Sequence, residues 1–157
     1  MQLILLTHSR EVSKKTNTGQ LVQLLIPNTQ TIIWQRTHPN KKLLQLIASE
    51  KIALVYPESE LQSVVDNKPV QNIKEFEIFI LIDSTWQEAR KMFNRSPYLQ
   101  NLPRIQLTPE HGSQYNLRRN QLKDGLCTAE CVIELLRAKS YFKLRDELNC
   151  AFLKLIK

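Results

Sequence analysis

The chain has 157 residues and carries 22 Lys and Arg against 15 Asp and Glu, a formal net charge of +7. That length makes one domain with a real core. A composition of 42% apolar and 24% charged residues is ordinary for a folded globular protein and excludes a disordered or fibrous chain. The basic surplus favours an anionic partner, nucleic acid being the commonest. Charge alone leaves that reading evenly matched with a basic surface kept for solubility.

No apolar run is long enough to span a bilayer, so no membrane association is expected. The first residues, MQLILLTHSR, lack a basic start and a small-residue cleavage site, and they read as a strand rather than a leader. Cys127, Cys131 and Cys150 are odd in number and late in the chain, which argues against a disulfide framework and for a reducing cytoplasm. The three glycines, Gly19, Gly112 and Gly125, form neither G-x-G-x-x-G nor a Walker A loop, so an ordinary dinucleotide site and a P-loop are excluded.

In chain order, Leu3 to Leu6 form a first strand that ends at Thr7-His8-Ser9-Arg10. His8 sits where the strand gives way to a loop; a ligand contact is open, and a solvated or capping residue is the preferred reading. Asn17 or Thr18 caps a helix over Gln20 to Ile26, with Lys14 and Lys15 just before it. Thr29 to Trp34 is a second strand, Lys41 to Ser49 a helix, and Ile52 to Tyr56 a third strand. Leu61 to Lys74 reads as a connection with one helical turn at most.

The most informative stretch is Phe76 to Arg95. Its short apolar run, rich in β-branched and aromatic residues, predicts a fully buried strand that stops at Asp83. Ser84 and Thr85 then start a helix to Asn94 that exposes Arg90, Lys91 and Arg95 and is ended by Pro97. This places a carboxylate at the carboxyl edge of an α/β sheet, where such sheets bind ligands. Arg104 to Leu107 is a last strand.

Thr108 to Asp124 has no periodicity but contains Tyr115, Arg118, Arg119 and Lys123, a mixture that suits RNA phosphates and base stacking. Thr128 is the expected cap of a helix that buries Val132, Ile133, Leu135 and Leu136. Cys127 and Cys131 resemble half a metal site but read as buried thiols, because nothing completes the set. A final helix, Ser140 to Leu155, places Tyr141, Leu144, Leu148, Phe152 and Leu155 on a core face.

Four segments in this order resemble the DTW-domain family of tRNA-uridine aminocarboxypropyltransferases. They are Thr16-Asn17-Thr18-Gly19, Asp83-Ser84-Thr85-Trp86 with Gln87-Glu88-Ala89-Arg90-Lys91, Leu102-Pro103-Arg104, and Tyr115-Asn116-Leu117-Arg118-Arg119 leading to Gly125-Leu126-Cys127-Thr128-Ala129-Glu130. The resemblance covers nearly the whole chain, as one DTW domain over residues 1–157. It implies an α/β fold similar to the SPOUT methyltransferases, a mainly parallel sheet flanked by helices with a C-terminal knot. Topology rules alone argue against a knot.

The implied reaction moves the 3-amino-3-carboxypropyl group of S-adenosylmethionine to N3 of a uridine in tRNA and releases methylthioadenosine. With the resemblance, Asp83 is the candidate catalytic base that takes the N3 proton; holding the cofactor's amino group and capping the helix are the alternatives. Thr18, Ile80, Leu102, Leu126 and Thr128 line the S-adenosylmethionine pocket, while Lys14, Lys15, Arg90, Arg118 and Arg119 meet tRNA phosphates. Trp86 is mainly a packing residue. No metal is implied, because the chain starts at its first strand without the cysteine-rich segment of many relatives. Ser84 and Cys127 depart from the family's usual small residue and serine. The competing expectations are a SPOUT-type RNA methyltransferase, transfer to an rRNA nucleotide, and a non-catalytic RNA-binding module. A monomer and a homodimer are both open.

Overall fold

A computed structural model describes residues 1–56, 72–107, 109, 112–115 and 126–157. Five parallel strands form one sheet: β1 (Gln2–Thr7), β2 (Thr29–Ile33), β3 (Ile52–Val55), β4 (Ile78–Asp83) and β5 (Arg104–Ile105), in the order β2-β1-β4-β3-β5. Around them lie α1 (Gly19–Leu25), α2 (Lys41–Ser49), α3 (Trp86–Asn94), the short α4 (Pro97–Gln100), α5 (Thr128–Ala138) and α6 (Phe142–Ile156). The described sheet is parallel throughout rather than mainly so. Residues 116–125, which include Arg118, Arg119 and Lys123, lie outside the described residues, and the C-terminal knot stays an expectation.

Successive side chains of a strand point to opposite faces, so each central strand feeds two cores. Leu3, Leu5, Phe79 and Leu81 face a core closed by Val22 of α1, Val132, Leu135 and Leu136 of α5, and Leu148 and Phe152 of α6. Ile4, Leu6, Ile80 and Leu54 face the other, closed by Leu43 of α2, Met92 and Phe93 of α3, and Leu99 of α4. Fully burying each such Leu or Ile side chain contributes roughly 1.5–3 kcal/mol. β1 and β4 are paired along their whole length, Gln2 opposite Ile78 through Thr7 opposite Asp83, so their carboxyl ends are flush.

Several boundaries differ from expectation. Pro97 does not end α3; it opens α4, where its missing N–H costs nothing at a helix start. The α5 cap is Cys127, not Thr128, which is the first helical residue. On α6, Leu148 and Phe152 are buried as expected, but Tyr141 precedes the helix and is exposed. The turn between α5 and α6 is closed by Ser140 at φ 64°, with the Tyr141 N–H donating to the Leu136 carbonyl at 2.8 Å.

Candidate active site

Parallel strands all release their chain at one edge. Here that edge gathers the ends of β1, β3 and β4 and the starts of α1, α3 and α5. A cleft of about 210 Å³ opens between them. Val55, Tyr56, Leu81 and Ile82 form its floor, Ser84, Thr85, Trp86, Gln87 and Ala89 one wall, and Thr18 with Leu126, Cys127, Thr128 and Cys131 the other. Trp86 thus borders the cleft while it packs on Tyr56 with ring centroids 6.4 Å apart. The cleft is lined by hydroxyls, backbone and apolar groups; among the described residues no Asp or Glu belongs to its walls.

Asp83 stands behind that surface, only 3% exposed. Its Oδ1 accepts from the Thr128 hydroxyl at 2.8 Å, and its Oδ2 accepts from the Thr7 hydroxyl at 3.2 Å. Burial raises its pKa above the ordinary carboxylate value; the hydrogen bonds from Thr128, Asn17 and Thr7 oppose the rise, and the nearby Glu11 carboxylate adds to it. A Cβ on Gly19 would lie 2.4 Å from Asp83 Oδ2, so the start of α1 meets this carboxylate as closely as a backbone allows. Asp83 therefore locks β1, β4, α1 and α5 together at the ligand edge.

Thr18 and Asn17 divide the capping work differently from expectation. Asn17 Oδ1 accepts from the Gly19 N–H at 2.6 Å. Thr18 precedes α1 but caps another helix: its Oγ1 accepts from the Ala129 N–H of α5 at 3.0 Å. Glu130 completes the α5 start by accepting from the Cys127 N–H at 3.1 Å, the Ser113 hydroxyl at 2.6 Å and the Gln114 N–H at 2.8 Å. The Tyr115 hydroxyl donates to the Thr16 carbonyl, tying residues 112–115 back to the loop before α1.

The Cys127 thiol is pushed up to about 12 by burial first and by Glu130 second, and burial likewise pushes Cys131 up, so both are inert thiols on the cleft wall. Among the described residues no three His, Cys, Asp or Glu side chains gather as metal ligands would. No described helix is long and apolar enough to cross a membrane.

Of the residues expected around a ligand, the structure brings Thr18, Leu126 and Thr128 together on one wall, with Asp83 bonded to the last of them. Ile80 and Leu102 are placed elsewhere, packed in the core under α3 and α4. Lys15 and Arg90 are exposed, whereas Lys14 is held 3.1 Å from the buried Glu11. Sequence reasoning passed over Glu11 and Glu130, which hold the two loops in place. His8 caps its own loop, its Nδ1 accepting from the Arg10 N–H at 3.1 Å, but its ring is not free in solvent: Nδ1 lies 3.1 Å from Glu88 Oε2 and the ring stacks on Trp34.

The chain matches the family model described as the DTW domain over residues 1–157. It is 24% identical over 143 residues to tRNA-uridine aminocarboxypropyltransferase 2 of Drosophila melanogaster, covering 86% of this chain and 55% of the relative. The chain thus spans about half the length of that curated relative. No solved structure matches it. The family segments around Thr18, Asp83 and Thr128 are the ones that meet at the cleft, and by a match that runs the length of the chain this protein belongs to the DTW-domain family.

Proposed function

We propose that the chain transfers the 3-amino-3-carboxypropyl group of S-adenosylmethionine to N3 of a uridine in tRNA, with methylthioadenosine as the leaving product. The observation that carries this reading is the meeting of three family segments, 16–19, 83–87 and 126–130, at one ligand-edge cleft in a chain of DTW type. The named activity of the Drosophila relative and the +7 charge support it. A SPOUT-like knot and a cytoplasmic site of action are part of the same proposal, as are phosphate contacts from Lys14, Lys15, Arg90, Arg118 and Arg119.

The cleft suits the donor molecule. The first-turn N–H groups of α3 and α5 other than those of Glu88 and Ala129, which Thr85 and Thr18 accept, favour a carboxylate. Trp86 and Tyr56 offer aromatic faces to an adenine or to a sulfonium cation. A volume of about 210 Å³ is below the ~300–1,000 Å³ of sites that enclose a drug-sized ligand, so the described walls would cover part of it. When bound, S-adenosylmethionine supplies a sulfonium that makes its neighbouring carbons electrophilic.

The protein's part is to choose which carbon meets the nucleophile, and rigid walls do this by alignment. Asp83 serves as the anchor of those walls. Both its oxygens are occupied by Thr7 and Thr128, and holding Thr128 fixes the start of α5. Uridine N3 carries a proton and becomes a competent nucleophile as that proton leaves.

The test is incubation of the protein with tRNA and S-adenosylmethionine, followed by mass spectrometry of the nucleosides and of the small products. Aminocarboxypropyluridine with methylthioadenosine is the expected result. Methyluridine with S-adenosylhomocysteine would assign the protein as a methyltransferase, tRNA binding without turnover would make it a binding module, and modification of rRNA alone would change the substrate.

A further inference from the structure

The two edges of the sheet carry their charge differently. At the amino edge, where β3, β4 and α6 begin, cations and acids are mixed and paired. Lys51 lies 4.0 Å from Glu75 in the turn before β4, and Glu77 lies 2.7 Å from Lys139 and 3.4 Å from the Met1 amine. Interspersed signs of this kind suit a surface kept for solubility. The carboxyl edge is different on its β1 and β2 side. The β1–α1 loop (8–18) and the β2–α2 loop with the first residues of α2 (34–42) expose Arg10, Lys14, Lys15, Arg36, Lys41 and Lys42, and no Asp or Glu.

The acids of this region are turned inward. Glu11 is fully buried and holds Lys14 at 3.1 Å, and Glu88 of α3, 16% exposed, faces His8. Arg10, Arg36, Lys41 and Lys42 form no ion pair among the described residues. Their backbone is nevertheless fixed. The Trp34 N–H donates to the Thr7 carbonyl at 2.9 Å and its indole N–H to Ser96 Oγ at 2.9 Å. The Asn40 side chain accepts from the Leu43 N–H at 3.0 Å, which starts α2 at Lys41. This edge is continuous with the cleft: the 8–18 loop ends at Thr18 on the cleft wall, and β2 lies two strands from β4, about 10 Å away.

We infer that a tRNA strand lies across this edge, with its phosphates on Arg10, Arg36, Lys41 and Lys42 and the target uridine in the cleft. This rests on the transferase reading above, which supplies the RNA, and deepens it by adding a second group of contacts to those at Lys14 and Lys15. Each phosphate met by a cation releases counterions, so a row of cations with no exposed acid among them gains with every contact. The guanidinium groups of Arg10 and Arg36 present paired donors to a phosphate, and the two lysines act as point charges. A base swung out of a single-stranded loop enters a pocket while the phosphates beside it stay outside. The edge is divided in the same way, into a cleft walled by hydroxyl and apolar groups and a cationic surface to one side of it.

The experiment measures tRNA binding by fluorescence anisotropy across a salt series, together with transfer kinetics and melting curves. It compares wild type, Arg10→Ala, the triple variant Arg36→Ala/Lys41→Ala/Lys42→Ala, and a control, Lys74→Ala/Lys143→Ala, whose lysines are exposed at the amino edge. The triple variant should lower the slope of log affinity against log salt by roughly 2–3, at ~0.7–0.9 per lost contact. Arg10→Ala should lower it by ~1, and the control should leave it unchanged. In the triple variant KM for tRNA should rise at least ~10-fold while kcat, KM for S-adenosylmethionine and Tm stay at wild-type values. The charge-retaining Arg36→Lys/Lys41→Arg/Lys42→Arg should keep the slope. A triple variant with wild-type slope and KM, or a control that loses as much slope, overturns the surface and leaves the transferase reading intact. The expected slope losses without aminocarboxypropyluridine remove the transferase reading and keep the surface as an RNA-binding one. Wild type that binds no tRNA removes both.

Discussion

Gly19→Ala tests whether the Asp83 carboxylate is the fixed point of the ligand edge. The added methyl would sit 2.4 Å from Asp83 Oδ2, 2.8 Å from Asn17 Oδ1 and 2.9 Å from Asp83 Cγ. Neither neighbour is a loose chain end: Asp83 is held by Thr7 at 3.2 Å and Thr128 at 2.8 Å, and Asn17 by the Glu11 carbonyl at 2.8 Å. Overpacking of this kind costs about 1–3 kcal/mol. Displacing the carboxylate from one hydroxyl adds roughly 1.5–3 kcal/mol, and the better helix propensity of Ala returns ~1 kcal/mol at most. The net loss is about 1.5–5 kcal/mol, and at ~2–4 °C per kcal/mol for a chain of this size Tm should fall by roughly 3–20 °C in calorimetry. In an Asp83→Ala background the same change should cost less, because only the Asn17 Oδ1 contact at 2.8 Å remains. A Gly19→Ala protein that melts with wild type, or costs that simply add in the double variant, would refute the lock.

Asp83→Asn should change the pH dependence of stability. The folded carboxyl has a raised pKa, so the folded state holds more protons than the unfolded one between the two values and wild-type stability declines as pH rises through that window. Urea titrations should therefore show Asp83→Asn gaining on wild type from about pH 4 upward; a difference that stays flat or runs the other way refutes burial as the dominant cause. Glu130→Ala removes the acceptor shared by Cys127, Ser113 and Gln114 and should cost about 1.5–3 kcal/mol or more, with faster amide exchange at Gln114. Lys15→Ala should lower the slope of log affinity for tRNA against log salt by ~1 without changing Tm, as loss of one phosphate contact requires; an unchanged slope would remove Lys15 from the RNA surface.

The sheet and most helices were legible because their signals are local. The apolar run before Asp83 and the periodic apolar residues of α5 each announce themselves within a few positions. One misplaced boundary had a cue that went unused. Glu130 three residues after Cys127 is the spacing of a capping box, which marks Cys127 and not Thr128 as the cap. The remaining features had no local signal. Thr18 as the acceptor for an N–H of α5, and Glu88 as the neighbour of His8, arise from sheet order alone. The same holds for Glu11, an acidic residue in a polar stretch that proves fully buried.

The bond between Thr18 and Ala129 spans 111 positions, and those of Tyr115 to Thr16 and Thr128 to Asp83 span 99 and 45. During synthesis, then, residues 1–129 must all leave the ribosome before this wall of the cleft can assemble. Closures over such distances are slow steps in folding, so chains terminated before Thr128 should lack an ordered cleft.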